Sequence, residues 1–112
     1  AMSFFEQGDI IEVDFNPSLG HEPAKRRPGL VVSTGAFNMR SSMTFVAPIT
    51  STVNNYPLHH YIESEEADVR GCVCVEQTRA MDLNARPCTK LGEADPDDMG
   101  EVLSLLGSIF DI

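Results

Sequence analysis

Residues 8–33 read GDIIEVDFNPSLGHEPAKRRPGLVVS. In Gly8 to Phe15 the apolar side chains Ile11, Val13 and Phe15 alternate with the acids Glu12 and Asp14. That period of two is the signature of a half-buried strand. Leu30 to Ser33 reads as a second strand, and the loop from Asn16 to Pro28 lies between the two. The loop gathers the imidazole of His21, the carboxylate of Glu22 and three consecutive cations, Lys25, Arg26 and Arg27. A segment with that chemistry reads as a working loop, and its glycine, proline and charge content leaves it free to move without a ligand.

Further along, Thr44 to Ile49 reads as a third strand, reached through a polar connection containing Asn38, Arg40 and two serines. Leu58 to Glu63 and Val69 to Glu76 form a further pair, and Ala85 to Gly92 a last short strand. Asp95 is a good N-cap, Pro96 suits the first helical position, and Asp97 and Asp98 complement the helix dipole. Met99, Val102, Leu103, Leu106, Ile109 and Phe110 follow at helical spacing, so one amphipathic helix is expected, its stripe serving as core or dimer seam. Five or six short strands and one terminal helix predict a mainly β fold, a small SH3-like curled antiparallel sheet closed by the helix. No repeat or linker divides residues 1–112, which read as a single domain, small enough that a partner subunit is expected.

Apolar residues make up 42% and charged residues 22%, too apolar a balance for a disordered chain. No apolar run approaches the roughly 20 residues that span a bilayer, and residues 2–9 have neither a basic flank nor an apolar stretch of signal-peptide length. A cytoplasmic protein without a membrane partner is expected. Three cysteines, Cys72, Cys74 and Cys88, do not make a disulfide framework. With His59 and His60 they show no CxxC or HxxxH spacing, so they are read as small core residues and no metal or other cofactor is expected.

The net charge of −9 argues against a nucleic-acid ligand, but the distribution argues the other way. All eight Lys and Arg lie between Lys25 and Lys90, while acids collect in the first strand, at residues 63–68 and at residues 93–101. With a Debye length of about 8 Å at physiological salt, a local basic patch can hold a phosphate on an acidic protein.

Residues 8–33, APITS at 47–51, VEQTRAMDLNARP at 75–87 and the closing helix together resemble the MazF/PemK family of toxin–antitoxin ribonucleases. GHE, RRP and AFN bring the chain nearest to its Kid/PemK branch. The resemblance implies a CcdB/PemK-like fold and a homodimeric, metal-independent endoribonuclease, an mRNA interferase. Such an enzyme cuts single-stranded RNA at a short sequence and arrests growth until a cognate antitoxin with a disordered tail binds. The ribose 2′-hydroxyl is then the nucleophile, and the protein neutralises the phosphorane and moves protons.

By the same resemblance Arg27 of the RP motif is the catalytic arginine, whose planar guanidinium suits bidentate contact with phosphate oxygens. Thr50 is the active-site threonine, with Ser51 a second contact, although both residues equally end a strand. His21 is a proton-transfer group, and an unperturbed pKa near 6.5 fits that task. Glu22 orients Arg27 or touches RNA. Lys25 and Arg26 are RNA contacts or solvated loop charges. Where the Kid/PemK branch carries a catalytic arginine and aspartate, this chain has Cys74 and Glu76. A thiol cannot stand in for a guanidinium, whereas Glu76 keeps a carboxylate and could act as base. Gln77 would line the RNA groove, and Arg79 would contact RNA or support the dimer.

Two other readings stay open. A CcdB-like gyrase poison uses the same fold, but it closes on a Trp-Gly-Ile-like tail where this chain ends in Ser108, Ile109, Phe110, Asp111 and Ile112. A catalytically weak family member acting as a binding protein would fit the acidic charge and Cys74.

Overall fold

The computed structural model describes residues 4–15 and 26–111. Strand β1 (Asp9–Asp14) pairs antiparallel with β2 (Arg26–Val31) on one edge and with β7 (Cys88–Glu93) on the other. Strand β3 (Thr44–Thr50) follows β2, and β5 (Val69–Cys74) then pairs with β3 and with β4 (His59–Ser64). The order across the sheet is β4-β5-β3-β2-β1-β7, with the three-residue β6 (Arg79–Met81) off this path on β3. β3 is shared: Thr44 to Val46 pair with β6, and Ile49 and Thr50 pair with β5. Its two ends therefore belong to different neighbours, and this curls the sheet and brings Thr50 against β5.

Alternation along β1 sends side chains to two cores. Ile10 joins Leu30, Val32, Ala47, Ile49 and Val73 in a cluster covered by the C-terminal helix α2 (Pro96–Ile109). Ile11, Val13 and Phe15 pack on the opposite face with Val31, Val46, Met81 and Leu83. β1 is thus buried on both faces rather than half-buried. A register shift between Ile10 and Ile11 against β7 bends the strand where the two clusters diverge. Gly29 has Phe15 Cζ and Val46 Cγ1 2.7 Å from where a Cβ would stand, so the second cluster closes over bare backbone.

The helix at the end forms as the capping pattern predicts. The Asp95 carboxylate accepts from the Asp97 N–H at 2.8 Å, Pro96 opens the helix, and Met99 and Val102 are buried on the sheet. The expected apolar stripe splits along its length, because Ile109 and Phe110 are 43% and 67% exposed. His60 on β4 meets Asp98 Oδ1 at 2.8 Å and ties the helix start to the sheet.

Three local expectations are corrected. The polar connection before β3 contains a helix, α1 (Gly35–Ser41), capped by Thr34 and ended by Ser42 at a φ of 61°. Its anchor is the polar Asn38, 1% exposed, whose Nδ2 donates to the Phe5 carbonyl at 2.7 Å and whose Oδ1 accepts from the Ser33 hydroxyl. β2 begins at Arg26, so Arg26, Arg27 and Pro28 are strand and not loop, drawn in by pairing with β1. The last strand is Cys88–Glu93; Ala85 lies before it in a turn, its N–H donating to the Asp82 carbonyl.

Candidate active site

Arg26 and Arg27 sit opposite Asp14 and Val13 in the β1–β2 register, and successive residues of a strand point to opposite faces. Arg26 pairs with Glu12 at 3.7 Å on the exposed side. Arg27 lines a hollow of ≈ 450 Å³ together with Thr50, Ser51, Thr52, Asp68 and Arg70. Two segments far apart in sequence, the start of β2 and the end of β3, thereby face one concavity.

Thr50 is the last residue of β3. Its Oγ1 accepts the N–H of Thr52 at 3.2 Å, a turn that hydroxyl residues favour at strand ends. One lone pair is used by the backbone, and the O–H keeps its capacity to donate. Across from it β5 lies very close: a Cβ on Gly71 would meet the Thr50 carbonyl, with the carbonyl carbon at 2.9 Å. Only glycine lets β5 approach so tightly, and the approach fixes where Thr50 stands.

The other expected residues fall elsewhere. Glu76 Oε2 is 3.1 Å from His59 Nε2, and His59 Nδ1 is 3.1 Å from Asn54 Oδ1. Glu76 faces a second hollow of ≈ 320 Å³, bordered by Phe45, Val75, Leu106, Ile109 and Phe110. Gln77 is exposed at the end of a short 3-10 turn, Val75–Gln77. Arg79 donates to the Phe15 carbonyl and stands 5.1 Å over the Phe15 ring. Arg86 Nη1 donates to the Asp14 carbonyl at 2.6 Å. The two arginines clasp the end of β1. His21, Glu22 and Lys25 lie outside the described residues.

Cys74 is buried, and burial pushes its thiol up, with Glu76 and Cys72 adding to the shift and a backbone hydrogen bond at Thr50 opposing it. It stays a neutral thiol at neutral pH and carries no charge to a phosphate. Among the described residues no group of three or more His, Cys, Asp and Glu side chains could hold a metal ion. Thr52, Asp68 and Arg70 were not expected at the hollow. The alternation around Arg70, with Val69 and Gly71 buried, puts it on the outer face of β5, but no local pattern tells what that face looks onto.

A curled antiparallel sheet closed by one C-terminal helix is the fold class of solved MazF toxins. The chain belongs to the family of PemK-like, MazF-like toxins of type II toxin–antitoxin systems, which matches residues 6–110. It is 44% identical over 115 aligned positions to the endoribonuclease toxin ChpB of Escherichia coli K12, covering 96% of this chain and 95% of that one. The endoribonuclease toxin MazF of the same strain is 32% identical over 94 positions, covering 84% of this chain and 83% of that one. Among solved structures, MazE-MazF (Form-II) of Deinococcus radiodurans superposes with a TM-score of 0.87 at 31% identity, over 99% of both chains.

Proposed function

We propose that this chain is an endoribonuclease toxin that cuts single-stranded RNA by attack of a ribose 2′-hydroxyl on the adjoining phosphate. The observation that carries the reading is the hollow shared by Arg27 and Thr50, in which the Thr50 oxygen already accepts a backbone N–H and keeps its proton to give. In the reaction the 2′ oxygen bonds to phosphorus as its proton leaves to a base. The bond from phosphorus to the 5′ oxygen breaks as that oxygen takes a proton, leaving a 2′,3′-cyclic phosphate and a 5′-hydroxyl. Charge builds on the non-bridging oxygens between these steps. A guanidinium and a hydroxyl aimed at that point stabilise it more than they stabilise the starting diester.

Proton transfer is assigned to His21, on its residue type and on the family's GHE motif. Glu76 is left out of the step because His59 holds its carboxylate at the other hollow. Cys74 is left out because it is neutral. The attacking hydroxyl belongs to the substrate, so the route needs no metal.

The toxin acts as a homodimer, a reading supported by the exposed Phe45, Ile109 and Phe110 around the second hollow. Its antitoxin lays an acidic, disordered tail over the same cations that hold RNA; the MazE–MazF structures of the Deinococcus relative support an antitoxin partner as such. A cytoplasmic location is the reading that an RNA substrate and an antitoxin partner favour.

The test is a long, low-structure RNA incubated with the protein in EDTA, its new ends mapped and chemically typed. Cuts at one short sequence with 2′,3′-cyclic phosphate and 5′-hydroxyl ends are expected, and a 2′-deoxy residue at the cut site should block them. Cuts that need added metal, or that leave 5′-phosphates, would overturn the mechanism.

A further inference from the structure

We infer that Arg70 is a second phosphate-binding residue, holding the phosphodiester next to the one that is cut. The inference rests on the ribonuclease reading and extends its site from one cation to two.

Seven of the eight Lys and Arg lie among the described residues, and most are occupied. Arg26 is paired with Glu12, Lys90 with Asp9 and Glu93, and Arg79 and Arg86 are bound to the β1 backbone. Arg27, Arg40 and Arg70 form no ion pair among the described residues. Two of these three face the same hollow.

Arg70 has a cross-strand neighbour that could have neutralised it, because Glu63 is its partner in the β4–β5 register. The Glu63 carboxylate instead accepts the Tyr61 hydroxyl at 2.7 Å. Among the described residues the guanidinium is therefore left without a carboxylate partner. Its position is fixed by the adjoining Gly71, whose bare Cα lets β5 press against Thr50. Arg70 thus keeps a set offset from the hydroxyl that serves the cut phosphate.

Two guanidiniums against the single carboxylate of Asp68 leave the concavity with a net positive charge that draws an anion. A single phosphodiester carries one negative charge and is claimed by Arg27 and Thr50, and the next phosphate along the strand is the natural second anion. Asp68 also lines the hollow, and its carboxylate repels phosphate. A base amino group is what it would accept, so the sugar–phosphate backbone runs on the arginine side. Such a built-in local charge is what a protein of net charge −9 needs to hold RNA.

The experiment measures binding apart from cleavage. A 2′-O-methylated low-structure RNA lacks the attacking hydroxyl, and its affinity is followed against salt for wild type, Arg70→Ala, Arg70→Gln, Arg27→Ala and Arg40→Ala. Both Arg70 variants should weaken binding about tenfold, in line with one lost charge-assisted hydrogen bond. They should also flatten the slope of log K against log salt by about 0.7, the share of one phosphate contact on a single strand. Arg40→Ala, which removes a cation that does not line the hollow, should change neither. In cleavage, Arg70→Ala should raise KM with kcat within a few-fold. A neutral methylphosphonate at one phosphate flanking the cut should weaken wild type, yet cost Arg70→Ala nothing further. Wild-type affinity and salt slope in both Arg70 variants, or a methylphosphonate penalty as large in Arg70→Ala as in wild type, would overturn the inference. Binding that depends on Arg70 without any cleavage by wild type would instead sink the ribonuclease reading and leave Arg70 standing.

Discussion

Gly71 lies so close to Thr50 that no side chain fits between β5 and the Thr50 carbonyl, and this contact connects the fold to the candidate site. Gly71→Ala should push β5 off the end of β3. Overpacking against backbone costs typically about 1–3 kcal/mol, and the displaced hydroxyl should lower cleavage further than the lost stability accounts for. Melting and single-turnover cleavage measured on the same sample check both halves. An alanine variant with wild-type rate would show that Thr50 needs no such fixing.

Thr50→Val keeps the shape and removes the donor. Loss of one such donor costs about 10²–10³ in rate, so cleavage should fall by that order with little change in RNA binding, and Thr50→Ser should restore most of it. A valine variant within a few-fold of wild type would remove Thr50 from the chemistry.

Asn38 is a prediction about stability alone. Replacing it with Ala takes the donor from the Phe5 carbonyl and the acceptor from the Ser33 O–H, whose oxygen still accepts the Phe45 N–H, at a cost of about 1–3 kcal/mol. The denaturant midpoint should drop at unchanged slope, with the cleavage rate of the folded protein preserved. An unchanged midpoint would mean that the network contributes nothing net.

Several groups set an alkaline limit. Burial raises the Cys74 and Cys88 thiols above the ordinary 9.0, and hydrogen bonding to Asp9 raises Lys90 above 10.5. Each group holds its proton more tightly when folded, so each contribution is complete below the unfolded value and is lost as pH rises through the folded one. Stability should therefore decline from about pH 9 upward, first through the thiols and then through Lys90. Urea midpoints between pH 8 and 11 check this, and Cys74→Ala should flatten the early part of the fall.

Much of this architecture was legible in the sequence because its signals are local. The period of two in Ile11, Val13 and Phe15 gave β1, and Asp95, Pro96 and the following acids gave the start of α2. Helix α1 escaped notice because it is held by one buried amide rather than by an apolar stripe. β6 is three residues long, too short for a period. Arg26 to Pro28 read as loop because charge and proline outweigh a pairing partner that lies across a long connection. The same non-local logic governs the site. Arg27 and Thr50 could be singled out by motif, but the sequence carries no sign that His59 engages Glu76 or that Arg70 faces the same hollow as Arg27. Those relations arise from sheet register.

Single-turnover cleavage of RNA in EDTA by wild type and by Arg27→Ala, with the melting temperature of each recorded, tests the central assignment most directly. A loss of at least about 10²-fold at unchanged melting is expected if the Arg27 guanidinium carries the charge that builds on phosphorus. Cleavage by Arg27→Ala within a few-fold of wild type would contradict it and place the active site elsewhere on the chain.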